Sequence, residues 1–475
     1  MSESKAADLD YIFHPKSVAV AGVSQKTFSS GNGFLKALHD FSFEGPLYAI
    51  NPKGGDFLGY RIYTNIKEIP GPVDYAIASI PAQSAIEFIK DCVSKQVKAV
   101  QFFTSGFKEI DAEGARLEAE LVRIATQGNI RIIGPNCMGI YCPESRLSFS
   151  SSFSKESGSI AFISQSGGNT MQFVQLGVSR GLRFSKVVSY GNASDLNETD
   201  FLEYCGNDDT TAIIGVYIEG VKDGQRFLRV LKETARKKPT IILKGGRTRA
   251  GTRTIASHTG SLMGNELVWD SIFKQTGAIR ANNLEELADV IMAIQCFPNI
   301  TGRRVAVIGL GGGASVQAAD EIEMAGLYVP SLPEQTQKEL GQYTFFSSGA
   351  GSIYNNPIDS PLVLTNPRLF SQMLGIIAEC PEIDLIMGYI GIDPSAGDRD
   401  MHMPLIAMGD TLIDFSKSHS KPTAIVTTPT MAEIYGKAAI EIRNKAVVNG
   451  VPFFPSLDRA ANAIVKAIEF REKTE

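Results

Sequence analysis

Short apolar runs alternate with longer amphipathic segments from Ser17 almost to the end of the chain. That alternation is the pattern of parallel strand–helix units. In the first third, Ser17–Ala21, Leu47–Ile50, Tyr75–Ile80, Ala99–Phe103 and Arg131–Ile133 predict strands, with Ala82–Lys95 and Glu113–Gln127 as helices between them. Gly134-Pro-Asn breaks the alternation, and the serine-rich stretch Tyr141–Gly158 reads as a linker.

A second unit starts at Ser159-Ile-Ala-Phe-Ile and closes with a helix beginning near Leu284, where Asn283 and Glu286 suggest a capping pair. Pro298-Asn-Ile-Thr-Gly302 reads as a second linker. A third unit starts at Arg304-Val-Ala-Val-Ile and ends in the amphipathic helix Leu457–Glu472. These last two units resemble each other. Ser159-Ile-Ala-Phe-Ile-Ser-Gln-Ser-Gly-Gly168 parallels Arg304-Val-Ala-Val-Ile-Gly-Leu-Gly-Gly-Gly313, and Lys238-Pro-Thr-Ile-Ile-Leu parallels Lys421-Pro-Thr-Ala-Ile-Val. Two landmarks in the same order predict related topology. The expected domains are therefore 1–145, 146–299 and 300–475, in keeping with about three domains for 475 residues.

Composition narrows the function. With 46 basic and 51 acidic residues the net charge is −5, and no basic block exists to bind nucleic acid. Six scattered cysteines form no Cys-x-x-Cys pair, which favours reduced thiols over a disulfide framework or a zinc site; no metal site is expected. The polar start and the lack of a long apolar run predict a soluble, cytoplasmic protein with no membrane contact.

The candidate chemistry lies in loops that follow strands. Val20-Ala-Gly-Val-Ser24, with a glycine turn at Gly31-Asn-Gly33, could present amide groups to a phosphate, Gly22 and Ser24 included. The second strand runs into Asn51-Pro-Lys-Gly-Gly55. Lys53 stands where an NAD site would carry an acid, pointing to an adenosine ligand with an extra phosphate, coenzyme A or NADP. Ser164-Gln-Ser-Gly-Gly-Asn169 and Gly309-Leu-Gly-Gly-Gly-Ala-Ser315 each follow a strand and open a helix, as anion sites do. Lys244, Arg247, Arg249 and Arg253 lie on a stretch read as flexible, which ends at His258 among Ser257, Thr259, Gly260 and Ser261. A histidine so placed could take a phosphoryl group as a nucleophile. Neither a Walker A sequence nor a hydrolase triad is present.

Several of these strings together resemble the alpha subunit of NDP-forming acyl-CoA synthetases, relatives of succinyl-CoA ligase. They are Asn51-Pro-Lys-Gly-Gly55, Gly134-Pro-Asn-Cys-Met-Gly139, Ser164-Gln-Ser-Gly167, Ile218-Glu-Gly-Val-Lys-Asp-Gly224, Ala256-Ser-His-Thr-Gly-Ser-Leu262 and Asn356-Pro-Ile-Asp359. The resemblance implies an α/β chain, with a Rossmann-like CoA-binding domain followed by two flavodoxin-like parallel ligase domains. It implies His258 as the phosphorylated residue and Glu219 as the carboxylate fixing its tautomer. Ser166, Gly167 and Gly168 would form one phosphate-binding helix start, Gly312 and Gly313 the other. Gly22, Ser24, Lys53 and Asn136 would help hold coenzyme A, while Cys137 would be a buried thiol and not a nucleophile. The activity implied is acyl-CoA + phosphate + ADP = carboxylic acid + CoA + ATP, with hinges near Gly251 moving the histidine. A partner beta subunit with an ATP-grasp domain would hold Mg2+ and the nucleotide, in an α2β2 assembly. The alternative is a CoA-binding regulatory protein of the same fold without turnover, suggested by the altered loops Ser29–Gly33 and Gly309–Ala314.

Overall fold

The computed structural model describes residues 8–26, 29–259, 266–309, 312–343, 354–360, 363, 366–391, 401–428 and 433–474. For 255–259, 312, 433–435 and 474 the description stops at the backbone. The chain forms two compact units. One ends at Leu287 and holds two sheets; the other begins at Ala288, takes in Ser179–Gly181, and holds a third sheet.

The first sheet contains β1 (Val18–Ala21), β2 (Leu47–Ile50), β3 (Gly55–Phe57), β4 (Tyr60–Tyr63), β5 (Tyr75–Ala78), β6 (Ala99–Phe102) and β7 (Arg131–Ile133). Their order is β3-β4-β2-β1-β5-β6-β7, all parallel except β3 against β4. Every residue of β1, β5 and β6 is buried, as a parallel sheet covered on both faces demands. The order reverses at β1, which has β2 on one side and β5 on the other, so the loops after β1 and β5 open the crevice where such sheets bind ligands. The glycine turn expected at Gly31–Gly33 is instead the first turn of the helix Ser30–Asp40. Ser29 caps it, its hydroxyl accepting from the Asn32 amide at 3.1 Å. The helix predicted from Ala82 starts with the tighter turn Ala82–Ser84 and continues as Ala85–Ser94.

The second sheet contains β8 (Gly139–Tyr141), β9 (Ile160–Ser164), β10 (Phe184–Ser189), β11 (Ile213–Ile218), β12 (Thr240–Lys244) and β13 (Ile279–Ala281), in the order β13-β12-β11-β9-β10-β8. Only β8 runs antiparallel, along β10. This corrects the linker expected from Tyr141. Tyr141 is fully buried in β8, and Phe149 and Phe153 pack with it, so the serine-rich stretch is tied down by three aromatic rings. The capping pair before Leu284 forms one residue out of step: the Glu286 amide donates to Asn283, and the Glu286 carboxylate accepts from the Asn282 amide.

A second correction concerns the stretch after β12. Lys244 is a buried strand residue, and Arg249–Thr259 is a helix with Gly251 inside it. Thr248 explains this, because its hydroxyl accepts from the Gly251 amide at 3.1 Å and starts the helix. The backbone left for a hinge is Gly245-Gly246, where Gly246 takes a left-handed φ of 71°.

The third sheet runs β14 (Val305–Ile308), β15 (Leu385–Ile390), β16 (Thr423–Thr427) and β17 (Phe453–Phe454) in order and in parallel. Ile308, Phe370, Ile386, Leu412, Ile425 and Ile442 fill its core, each contributing about 1.5–3 kcal/mol by leaving water. The related topology expected for the second and third sheets is present down to register. Val216 pairs with Ile163 as Gly388 pairs with Ile308, and Ile214 pairs with Thr240 as Ile386 pairs with Thr423. Even the lysines before β12 and β16 match. Lys238 donates to the Cys205 and Asp208 carbonyls, and Lys421 to those of Cys380 and Ile383.

Candidate active site

In the second sheet the strand order reverses at β9, which is flanked by β10 and β11. The loops after β9 and β11 therefore splay apart at the carboxyl ends of the strands, where ligands enter such folds. The loop after β9 turns sharply. Ser164 Oγ donates to the Ser166 carbonyl at 2.9 Å, and the Thr170 hydroxyl and amide both return to that carbonyl, at 2.6 and 3.0 Å. The helix Gly167–Ser179 starts there, so the Gly167 and Gly168 amides fall in its first turn, where no intrahelical acceptor is in reach.

Glu219 follows β11 and is buried. Gln165 reaches across from the β9 loop, its Oε1 accepting from the Glu219 amide at 2.8 Å and the Gly220 amide at 3.2 Å. One carboxylate oxygen of Glu219 accepts from the Tyr217 phenol at 3.1 Å, while the other is buried without a hydrogen-bond partner among the described residues.

The first sheet supplies the opposite wall. After β7, Asn136 takes a left-handed φ of 58°, and its amide donates to the Thr104 carbonyl at 3.1 Å. Gln101 donates to the Met138 carbonyl at 2.7 Å and Ser189 accepts from the Met138 amide at 3.1 Å, tying this loop to both sheets. Gly191 makes the approach possible, since a Cβ there would lie 2.3 Å from the Pro135 and Asn136 carbonyl oxygens. Cys137 Sγ sits between the Phe102 and Ile133 carbonyls at 3.5 Å each, and burial pushes its thiol far above the usual range, so it is a packed neutral thiol. Polar contacts brace the two walls: Asn192 donates to Glu109 at 2.6 Å and Glu118 at 2.9 Å, and Lys108 lies 3.2 Å from Glu118.

Between these walls is a cavity of 380 Å³ lined by Phe103, Ser105, Asn136, Cys137, Met138, Gln165, Ser166, Gly167, Gly168, Gly191 and Glu219. Five of the residues singled out from sequence thus meet in one place: Asn136, Ser166, Gly167, Gly168 and Glu219. Gly22, Ser24 and Lys53 do not line it; they mark the first sheet's own crevice. Gly22 has φ 93° and touches the loop after β5, a Cβ there falling 2.0 Å from the Ser79 carbonyl oxygen. Asn32 closes the β1 loop, accepting from the Ser24 amide at 2.8 Å and donating to its carbonyl at 2.9 Å. Lys53 is exposed in the turn after β2. Phe103 packs edge-on against Phe34 at 5.2 Å, joining the cavity wall to the helix that starts beside this crevice. His258 belongs to the helix Arg249–Thr259, but its side chain lies outside what is described. Residues 260–265, 310 and 311 also lie outside the described residues, while Gly312 and Gly313 open the helix Gly312–Ala325. Sequence reasoning missed Gln165, Tyr217 and Gly191. Of these only Gln165 left a signal, inside a motif already noted for its serines and glycine.

Residues 16–143 match the family of CoA binding domains, and residues 157–294 match the succinyl-CoA ligase-like flavodoxin domain. The chain is 33% identical over 463 residues to "Acetate--CoA ligase [ADP-forming] I subunit alpha" of Pyrococcus furiosus, covering 96% of each chain. It is 36% identical over 382 residues to an ADP-forming acetate–CoA ligase of Archaeoglobus fulgidus, where the match takes in 80% of this chain and 54% of that protein. In three dimensions it resembles an acetyl-coenzyme A synthetase of Candidatus Korarchaeum cryptofilum solved with phosphate and ADP. The TM-score is 0.83 at 29% identity, over 98% of this chain and 97% of that one. A CoA-binding sheet joined to a ligase-type flavodoxin sheet, with a cavity between their loops, defines the class of acyl-CoA ligases. The chain belongs to the ADP-forming acyl-CoA synthetase family and matches its alpha subunits over nearly their full length.

Proposed function

We propose that the chain is the alpha half of a reversible acyl-CoA synthetase that interconverts acyl-CoA, phosphate and ADP with carboxylic acid, CoA and ATP. Domains 1–145, 146–299 and 300–475 then hold CoA, the phosphohistidine segment and a second phosphate-facing helix start. Gly22, Ser24 and Lys53 contact CoA in the first crevice, and Asn136 carries the contact into the cavity. A phosphate oxygen attacks the thioester carbonyl carbon, the C–S bond breaks, and CoA leaves as the thiol with a proton from phosphate. The amides at Ser166–Gly168 face the negative charge of the acyl phosphate, and Gly312 and Gly313 are assigned as a further phosphate-binding helix start. A neutral His258 nitrogen then attacks phosphorus, the P–O bond to the acyl group breaks, and the carboxylate departs. Glu219 accepts a hydrogen bond from the other ring nitrogen's N–H, which keeps the attacking nitrogen unprotonated. The phosphoryl group passes to ADP on a partner subunit.

The observation that carries this reading is the buried Glu219 oxygen without a partner, in a cavity with a helix start on one wall and the CoA-type loop on the other. A carboxylate oxygen so buried is costly unless a donor arrives. We assign the nucleotide and its Mg2+ to an ATP-grasp beta subunit in an α2β2 assembly. The relatives named as alpha subunits support a partner subunit, and the neighbour solved with phosphate and ADP supports the use of a nucleotide. Six unpaired thiols support a cytoplasmic location.

The test combines the chain, its beta subunit, acyl-CoA, phosphate and Mg-ADP. ATP should form with the wild type and not with His258→Ala. ATP made by the variant at the normal rate would end the proposal.

A further inference from the structure

The two oxygens of Glu219 have different fates. Oε1 accepts from the Tyr217 phenol at 3.1 Å, and Oε2 is buried with no partner. Because Gln165 clamps the Glu219 and Gly220 amides, the carboxylate's remaining freedom is rotation of its own side chain, and the phenol restrains that rotation. Asn169, in the first turn of the helix Gly167–Ser179, lies beside the Tyr217 phenol. Burial and the neighbouring carboxylate push the phenol above its ordinary value, so it stays protonated and donates.

We propose that Tyr217 is a positioning residue, holding Glu219 Oε1 so that Oε2 remains free for the ring N–H of a phosphorylatable histidine. The inference rests on the function proposed above and adds a mechanical element to it. The Tyr217–Glu219 hydrogen bond holds the carboxylate in the cavity that the helix start at Ser166–Gly168 also lines. Without the phenol, the carboxylate can turn its free oxygen away or bond through both oxygens to solvent. The groups facing Glu219 are Tyr217 on β11, Tyr190 after β10 and Lys244 at the end of β12. The Tyr190 phenol has no partner, and the Lys244 ammonium donates to the Gly245 carbonyl, which leaves Tyr217 as the phenol committed to the carboxylate. A phenol that acts only through the carboxylate has nothing further to contribute once Glu219 is replaced by Gln.

The experiment compares the assembled alpha–beta enzyme carrying wild-type chain, Tyr217→Phe, Glu219→Gln or both substitutions. For Tyr217→Phe, kcat should fall about 10-fold, the low end for a hydrogen bond to a charged group, with KM for acyl-CoA within about twofold. Adding Tyr217→Phe to Glu219→Gln should lower kcat no further. An unchanged kcat in a folded Tyr217→Phe enzyme, or an equal fall in both backgrounds, overturns the proposal. Circular dichroism and CoA binding establish folding, and if Tyr217→Phe does not fold, Tyr217→Leu decides on the same readouts. A wild-type enzyme with no turnover and no phosphohistidine removes the functional reading itself. Turnover without the Tyr217 effect removes only this inference.

Discussion

The strands of the third sheet follow the order of β9, β11, β12 and β13 in the second, in register along the first three. Yet among the described residues charge is buried around the strands of the second sheet and not along those of the third, whose unit keeps its buried Asp289 paired with Arg180 and Arg459. Around β9–β12, Lys186, Glu198, Asp200, Glu219 and Lys244 are all buried. Among the described residues beyond 300, the buried polar side chains are hydroxyls: Ser315, Ser360, Thr423 and Thr427. The shared register aligns the differences. Counting along the paired strands, Glu219 corresponds to Gly391, Lys244 to Thr427, and Tyr217 to Tyr389. Buried charge costs stability unless it is paired or used. Its retention along the strands of one copy, and not along those of the other, is what the proposed function would put to use.

The sharpest way to break this comparison is to take the charge from Glu219. Gln keeps the shape and one acceptor but removes the charge that would stabilise a cationic imidazole. Glu219→Gln should lower kcat of the assembled enzyme at least about 100-fold, within the range for a lost acid–base partner. CoA affinity measured by calorimetry should stay unchanged, because Gly22, Ser24 and Lys53 lie in the other crevice. A kcat within tenfold of wild type would mean that the buried carboxylate is structural.

Glu198 tests the cost of charge at equilibrium. Burial, the largest cause, pushes its carboxyl up to about 7, against the pull of Lys222; Asp200 adds to the rise. A carboxyl whose folded value is raised favours the native state when protonated. That contribution is complete below the unfolded value near 4.5 and is lost as pH rises through 7. The loss amounts to about 2–3 kcal/mol. Urea unfolding followed by the single tryptophan, Trp269, which lies buried in the same unit, should give midpoints that fall from pH 5 to pH 8. Glu198→Gln should flatten that trend; an equal slope in both proteins would refute the assignment.

The sequence already pointed to most of this difference, but not to its supports. Glu219 stood out because a carboxylate directly after an apolar strand belongs to a recognisable string. The strands were legible because four or five buried residues in a row are hard to mistake. The hairpin β3–β4 escaped, since its turn places Leu58 at φ 52° beside Gly59, a conformation that leucine does not advertise. The strand β8 escaped because three residues show no period, and its pairing with β10 spans a long separation. The helix from Arg249 escaped because glycine and threonines outweighed one cap, Thr248. Gln165 and Tyr217 became visible as functional only through partners brought near by the fold.

The smallest expected effect is the reciprocal control at Tyr389. This tyrosine holds the register position of Tyr217, but its phenol bonds the Thr428 hydroxyl at 2.8 Å, and glycine stands where the carboxylate would be. The two tyrosines therefore share a scaffold role and differ only in partner. If partner and not position matters, Tyr389→Phe should leave kcat within about twofold of wild type. Its cost should be confined to about 0.5–1.5 kcal/mol of stability, the net worth of one neutral hydrogen bond. Measured beside Tyr217→Phe, it separates loss of a phenol from loss of control over a carboxylate. An equal fall in kcat for both variants would show that the scaffold, through either sheet, sets the rate, and the contrast between charged and neutral interiors would lose its functional meaning.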